Sequence, residues 1–381
     1  MRAQPAPITG SVLDWAIRDT ELTLGEVADK VEVSETQLRG WMFEDSYPNT
    51  TQLKNLSKTL GRPESFFFLE EPPKQQPTPA EFRRFAGSNG RPGAKTIDGI
   101  KLARRVQKTH AWIRQRGEGP VALPSIEVDD NVEKVAELLR IWLGWSTEHQ
   151  TGATEATVAR DFRSALQAKG ILALNLTLDD GISRGFSLHH PYAPLVAANT
   201  RDPHPARLFS YAHELVHLCL GEDAVCGTRG AKQGIERFCN RVASAILMPR
   251  RIFIDFKKMK FGAEKISDLK QVITIKNRFR VSMRAASIRL EELGLASSGL
   301  YEKVDNTATA DQKKSGFGAP GQEPRTRPII RVDQYGHEFI STLFSAEEQG
   351  LLRRRQISEL LSVSEKELGR VKQLAAIGTD T

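Results

Sequence analysis

The stretch Tyr211-Ala212-His213-Glu214-Leu215-Val216-His217 constrains this chain more than any other, because its residue types make chemical sense only on a helix. Residues four apart share one helical face, so His213 and His217 meet a single ion there. Zinc accepts imidazole nitrogen and carboxylate oxygen, and a catalytic site uses three protein ligands plus a water. Glu214, beside His213, is placed to take a proton from that water without ligating. Two residues compete as third ligand. Asp223 follows His217 closely, but a ligand there needs glycine at 220, where the chain has Leu220 and only then Gly221. Glu236 opens the run Glu236-Arg237-Phe238-Cys239-Asn240 on a second helix, with Phe238, Val242, Ala245 and Ile246 inside and Met248-Pro249 as its stop. Glu236 is the favoured ligand. A closed structural site would need a fourth, and Cys226 in its Gly-containing loop suits that better than Cys219, which faces away. Cys239 reads as a small packed apolar residue, and Asn240 as a group able to orient Glu236.

The rest of the chain must support that pair of helices. Its 381 residues suggest two or three domains. The expected fold class is α+β and mainly helical. An N-terminal all-α helix-turn-helix domain over 8–72 is followed by a Pro-rich spacer and basic helix over 73–128. The domain that carries the His213 motif then runs over 129–300, a flexible linker over 301–328, and a small helical C-terminal module over 329–381. Within the middle domain, Asn131–Leu143 and Thr157–Lys169 are amphipathic helices. Ile171–Leu176, Phe186-Ser187-Leu188 and Ala193–Asn199 are short apolar runs bounded by turn residues, hence strands. Residues 329–374 carry a short strand signal and then helices, with Ile357, Leu360, Leu361, Val363 and Leu368 as their core. No internal repeat is strong enough to assert.

The N-terminal segment announces its helices by their caps. Thr23-x-x-Glu26 and Ser34-x-x-Gln37 both match the capping box, eleven residues apart, as two short helices joined by a tight turn require. Val27, Ala28, Val31, Leu38 and Trp41 supply the buried faces, and a third helix with Leu53, Leu56 and Leu60 stops at Gly61. Charge is distributed unevenly. Residues 1–70 carry net −4, residues 81–117 net +8, and residues 250–290 net +9. The two basic segments offer an electrostatic footprint for nucleic acid or an acidic protein, or simply solvated helix faces.

On the residues Leu24-Gly25-Glu26-Val27-Ala28, Val33-Ser34, Leu38, Trp41, Pro48 and Gln52-Leu53, the first segment resembles the XRE (Cro/repressor-like) helix-turn-helix family. That resemblance implies DNA contact by Glu35, Thr36, Gln37 and Arg39 on the second helix of the pair, although the acids Glu44 and Asp45 oppose phosphate. A wider resemblance, to the ImmA/IrrE family of metallo-endopeptidases, rests on several runs. These are Phe82-Arg83, Gly185-Phe186-Ser187-Leu188, Ala193-Pro194-Leu195, Asn199, Arg207-x-Phe209, the His213 motif, Glu236 to Asn240, and Leu247-Met248-Pro249. It implies a zincin-like (gluzincin) domain with Zn2+ on His213, His217 and Glu236, Glu214 as catalytic base, and a repressor-type protein as substrate. It also implies a transcriptional role in stress, mobile-element or phage responses. The alternative function is a DNA-binding regulator or antitoxin-like protein whose peptidase-like domain senses a partner without cleaving.

An oxyanion donor is expected near the site, with Tyr192, His189, His190, Arg207 and Tyr211 as candidates. DNA is an expected partner through 8–72, with a homodimer matching two half-sites. No apolar run reaches the length of a membrane span. Three cysteines and an N-terminus without a leader pattern point to a cytoplasmic protein.

Overall fold

Short amphipathic helices, each with an identifiable start and stop, account for most of the chain. The computed structural model describes residues 5–20, 23–72, 94–179, 184–221, 229–304 and 325–377. Phe82, Arg83, Asp223, Cys226 and most of the spacer and linker stretches fall outside them. The chain forms two compact units, 1–78 and 79–381.

The first unit contains α1 (Gly10–Thr20), α2 (Leu24–Val31), α3 (Glu35–Met42) and α4 (Thr50–Leu60) around Leu13, Val27, Val31, Leu38, Trp41, Leu56 and Phe67. Thr23 and Glu26 form the full reciprocal box expected of them. At Ser34 only one arm forms: its hydroxyl accepts from the Gln37 N–H, while Gln37 itself is exposed. Asn49 and Gln52 make a reciprocal box at the start of α4, and Gly61 ends that helix with φ 62°.

The second unit begins with α5 (Ala94–Arg114), α6 (Val132–Leu143) and α7 (Glu155–Ala168). Next come β1 (Leu172–Leu176), β2 (Gly185–Leu188) and β3 (Leu195–Asn199), then α8 (His204–Leu220), α9 (Arg229–Leu247), α10 (Arg250–Phe261), α11 (Leu269–Phe279) and α12 (Met283–Glu292). The helices α13 (Arg327–Tyr335), α14 (His337–Glu348), α15 (Arg354–Leu361) and α16 (Glu365–Ile377) complete the chain. The strand signal of 329–374 is not realised: among the described residues this stretch is helical, because Ile329 and Ile330 lie on the outer side of α13 while Val332 and Tyr335 are buried.

The three strands form one sheet in the order β1-β3-β2, with β1 parallel and β2 antiparallel to β3. Strand residues alternate between faces, and the sheet thereby divides two cores. Ala173, Val196 and Ala198 join the core that contains α8 and α9. Leu172, Leu174, Leu176, Phe186, Leu188, Leu195 and Ala197 join a second core built from α5 and the C-terminal helices. The C-terminal helices are therefore packed on the sheet. Arg163 secures them: its guanidinium donates to the carbonyls of Ala173, Asp333 and Gln334. Arg289, 1% exposed, does the same for the other core, donating to the Met248 carbonyl and to both oxygens of Glu133.

One local geometry occurs three times. After α2, α11 and α15 comes a non-glycine residue in the left-handed region: Glu32 (φ 62°), Arg280 (φ 54°) and Ser362 (φ 52°). A valine follows each, Val33, Val281 and Val363, and its N–H reaches back to the carbonyl of Ala28, Lys276 and Ser358 respectively. These are the long return bonds of a Schellman-type helix end. Then comes a serine, Ser34, Ser282 or Ser364, immediately before the next helix. The residues just before the turn (Val31, Phe279, Leu361) and four further back (Val27, Ile275, Ile357) are buried in all three. The repeat that the sequence did not declare is thus a repeat of turn conformation carried by Val-Ser and little else.

Candidate metal centre

Helix α8 starts after Pro203, with a second proline, Pro205, in its first turn, where a missing N–H costs nothing. It ends at Gly221, φ 74°. Its centre is apolar nearly all round, and Tyr211, Ala212, Leu215, Val216 and Leu218 are buried. Among them sit three groups that apolar surroundings do not explain: His213, Glu214 and His217. Helix α9 packs across α8 through Phe238, Val242 and Ile246 and brings Glu236 over the two imidazoles.

The donor atoms converge. His213 Nε2 and His217 Nε2 are 3.0 Å apart, Glu236 Oε2 is 3.3 Å from the first, and Glu236 Oε1 is 3.4 Å from the second. Among the described residues, this is the one group of three or more His, Cys, Asp or Glu side chains able to hold a metal ion. Two tetrahedral ligands at about 2.0–2.1 Å from zinc stand about 3.3 Å apart, so the separations fit that ion. Two imidazole nitrogens facing each other at this distance also need a cation or proton between them. Burial opposes charge on Glu236, but its contacts with His213 and His217 outweigh it and hold the carboxyl well below the usual carboxylate range.

Glu214 is buried and does not join this group. Its Oε2 accepts a hydrogen bond of 2.9 Å from Ser187 Oγ on β2. The spacing that makes His213 and His217 partners turns Glu214 toward the edge strand. Gly185, two residues before Ser187, sits where a Cβ would lie 2.5 Å from the Ala197 carbonyl oxygen and 3.5 Å from Glu214 Cγ. Only glycine lets β2 come this close to β3 and α8 at that point.

One further contact was not readable in the sequence. Cys239 is buried, as expected of a packed residue, and its Sγ is also 3.6 Å from His217 Nδ1. A partner on Nδ1 fixes which imidazole nitrogen faces the ion. The spacing Glu236-x-x-Cys239 puts ligand and partner one helical turn apart, which is the signal that was available. Asn240, expected to orient Glu236, makes no hydrogen bond to it. Tyr211 is equally unavailable as an oxyanion donor, because its hydroxyl lies on the Leu174 carbonyl and Asn175 Oδ1. Arg207 contacts His204, and the Tyr192 N–H donates to His190 Nδ1. None of these contacts brings its residue to the metal ligands. Burial pushes the Cys219 thiol up to about 12, and Cys219 is not among the side chains that converge with His213, His217 and Glu236.

In comparison with known proteins, residues 166–291 match the family model Peptidase_M78, described as the IrrE N-terminal-like domain. The match begins within α7, includes the whole sheet and the two helices that carry His213, His217 and Glu236, and ends in α12. It supports the resemblance to the ImmA/IrrE family and a metallopeptidase-like function for this region. No curated protein matches the chain.

Proposed function

We propose that this chain is a zinc-dependent endopeptidase of the gluzincin type that regulates transcription by cutting a repressor-type protein. The observation that carries the proposal is the division of labour on one helix turn. His213 and His217 converge with Glu236 at ligand separations, while Glu214 stands beside them and bonds to Ser187 instead. Zinc bound there supplies Lewis acidity toward water and the scissile carbonyl. Glu214 takes the proton of the attacking water and passes it to the departing amide nitrogen. Ser187 holds Oε2 and leaves Oε1 for that proton. Cys239 steadies His217 from behind.

In this reading the first unit addresses the enzyme to its regulatory setting, with Glu35, Thr36, Gln37 and Arg39 as the DNA-facing residues. All four are exposed on α3, in agreement with that role. The deciding experiment incubates the zinc-loaded chain with a repressor-type protein encoded beside it. The wild type should cut it, and Glu214→Gln should bind zinc equally while losing at least about a hundredfold in rate. Zinc binding without cleavage by the wild type would favour the other reading, a regulator that senses a partner through a peptidase-like domain.

A further inference from the structure

A cavity of about 480 Å³ in the second unit shares no residue with the metal centre. α5 contributes His110 and Arg114 to its lining, the passage from α7 into β1 contributes Gln167 and Lys169, and α14 contributes Glu338 and Phe339. Arg114 lies against the turn before β1 because residue 170 is glycine. A Cβ there would stand 2.5 Å from Arg114 Nη1, and its left-handed φ of 80° suits glycine as well. Arg114 Nη2 pairs with Glu118 at 2.7 Å, which leaves Nη1 without a partner among the described residues.

Two side chains of the lining are more than nine-tenths buried and still keep polar atoms unpartnered. His110, 6% exposed, makes no hydrogen bond among the described residues and meets Phe339 edge-on, with ring centroids 5.6 Å apart. Gln167, 7% exposed, donates through Nε2 to the carbonyls of Ala173 and Tyr335. Its Oε1 accepts from no group among the described residues. Buried polar groups are ordinarily hydrogen-bonded, and two exceptions in the wall of one cavity point to a ligand that completes them. Charge narrows the choice. Arg114 and Lys169 are matched by Glu118 and Glu338, so a simple anion or cation meets as much repulsion as attraction. Free donors stand on α5, and the acceptors Gln167 Oε1 and Glu338 stand on α7 and α14. Val121, Trp142 and Phe339 add apolar surface, with Lys169 held over the Trp142 ring at 5.8 Å.

We infer that this cavity binds a free α-amino acid with an apolar side chain. Its carboxylate lies on Arg114 and His110, its ammonium group on Gln167 and Glu338, and its side chain on the apolar part of the lining. Each pole of the zwitterion thus meets a group that lacks a partner, and each contact is charge-assisted.

The test is isothermal titration calorimetry of the zinc-loaded full chain with L-phenylalanine and L-leucine. At least one should bind with a Kd below about 1 mM. N-acetyl-L-phenylalanine lacks the cation and L-phenylalaninamide lacks the anion, so each should bind at least about tenfold more weakly than phenylalanine. Arg114→Gln and Glu338→Gln should each weaken the amino acid at least about tenfold, with zinc content unchanged. Glu338 is exposed, so its variant should melt like the wild type and tests the site even if Arg114→Gln misfolds. The inference is overturned if neither amino acid binds at about 10 mM. It is equally overturned if the acetyl or amide form binds as well as phenylalanine, or if either folded variant binds like the wild type, as ligation to the zinc itself would allow. Tighter binding of leucyl-leucine than of leucine, measured in Glu214→Gln to prevent hydrolysis, would assign the cavity to peptide ends instead.

Discussion

Helices α3 and α12 enter the protein through the same door and end up in opposite circumstances. Each follows a left-handed residue, a valine and a capping serine. Yet α3 exposes Glu35, Thr36, Gln37 and Arg39, whereas α12 is almost wholly enclosed. The position seven residues after the capping serine shows how this comes about. In α3 it is Trp41, buried in its own small core; in α12 it is Arg289, buried against the Glu133 carboxylate of α6 and the Met248 carbonyl just after α9. The turn sets the local path of the chain. What the second helix touches is decided by its inward residues, and with it the question of whether any face remains for a partner.

Exchanging those inward residues is the most severe way to break the comparison. Arg289→Ala leaves Glu133 and the Met248 carbonyl without their partner and should cost about 3–5 kcal/mol, lowering the melting temperature of the second unit. Trp41→Ala should cost a similar 3–5 kcal/mol in the first unit. Limited proteolysis should then cut only within 1–78, with zinc binding at His213, His217 and Glu236 intact. Zinc loss in Trp41→Ala would refute the independence of the two units.

Acid should separate the units more gently. All eight histidines lie beyond residue 78. Among them, burial and then the nearby Arg114 guanidinium lower His110 from 6.5 to about 4. A group depressed in the folded state contributes stability that is complete above its unfolded value and shrinks as pH falls. The second unit should thus lose at most about 3 kcal/mol between pH 6.5 and 4 through His110. His110→Gln should flatten that part of a stability-against-pH curve measured by thermal melting, and an unchanged slope would count against the assignment.

The smallest effect concerns the shared cap. Ser34→Ala and Ser282→Ala should each cost about 1 kcal/mol, since each hydroxyl satisfies one N–H three residues on. Similar losses at both sites, measured by denaturant titration, would show that the cap acts locally whatever its helix packs against.

Much of this was legible because it is local. His213 and His217 four apart, Glu236 beside Phe238 and Cys239, the Thr23 box and the stop at Gly61 all follow from helical geometry acting within a few residues. The three strands were legible as short apolar runs. The repeated turn was hidden because its left-handed residues are Glu32, Arg280 and Ser362, where the usual marker is glycine. Ser187 on Glu214 and Cys239 on His217 join residues 27 and 22 positions apart, and only packing decides such contacts. The strand signal after 329 failed for a related reason: two adjacent isoleucines on an exposed helix side look like part of a strand until Val332 and Tyr335 are seen to face inward.

Gly185 gives the edge strand a parity. β2 is four residues long, and each of its side chains belongs to one core or the other. A slip of one residue against β3 would send Ser187 into the C-terminal core and turn a phenyl or leucyl group toward Glu214. His213, His217 and Glu236 would be untouched, and Glu214, the base of the function proposed above, would face hydrocarbon. The missing Cβ at 185 acts as an index mark that only one alignment satisfies, so the chemistry of this centre depends on counting as much as on coordination.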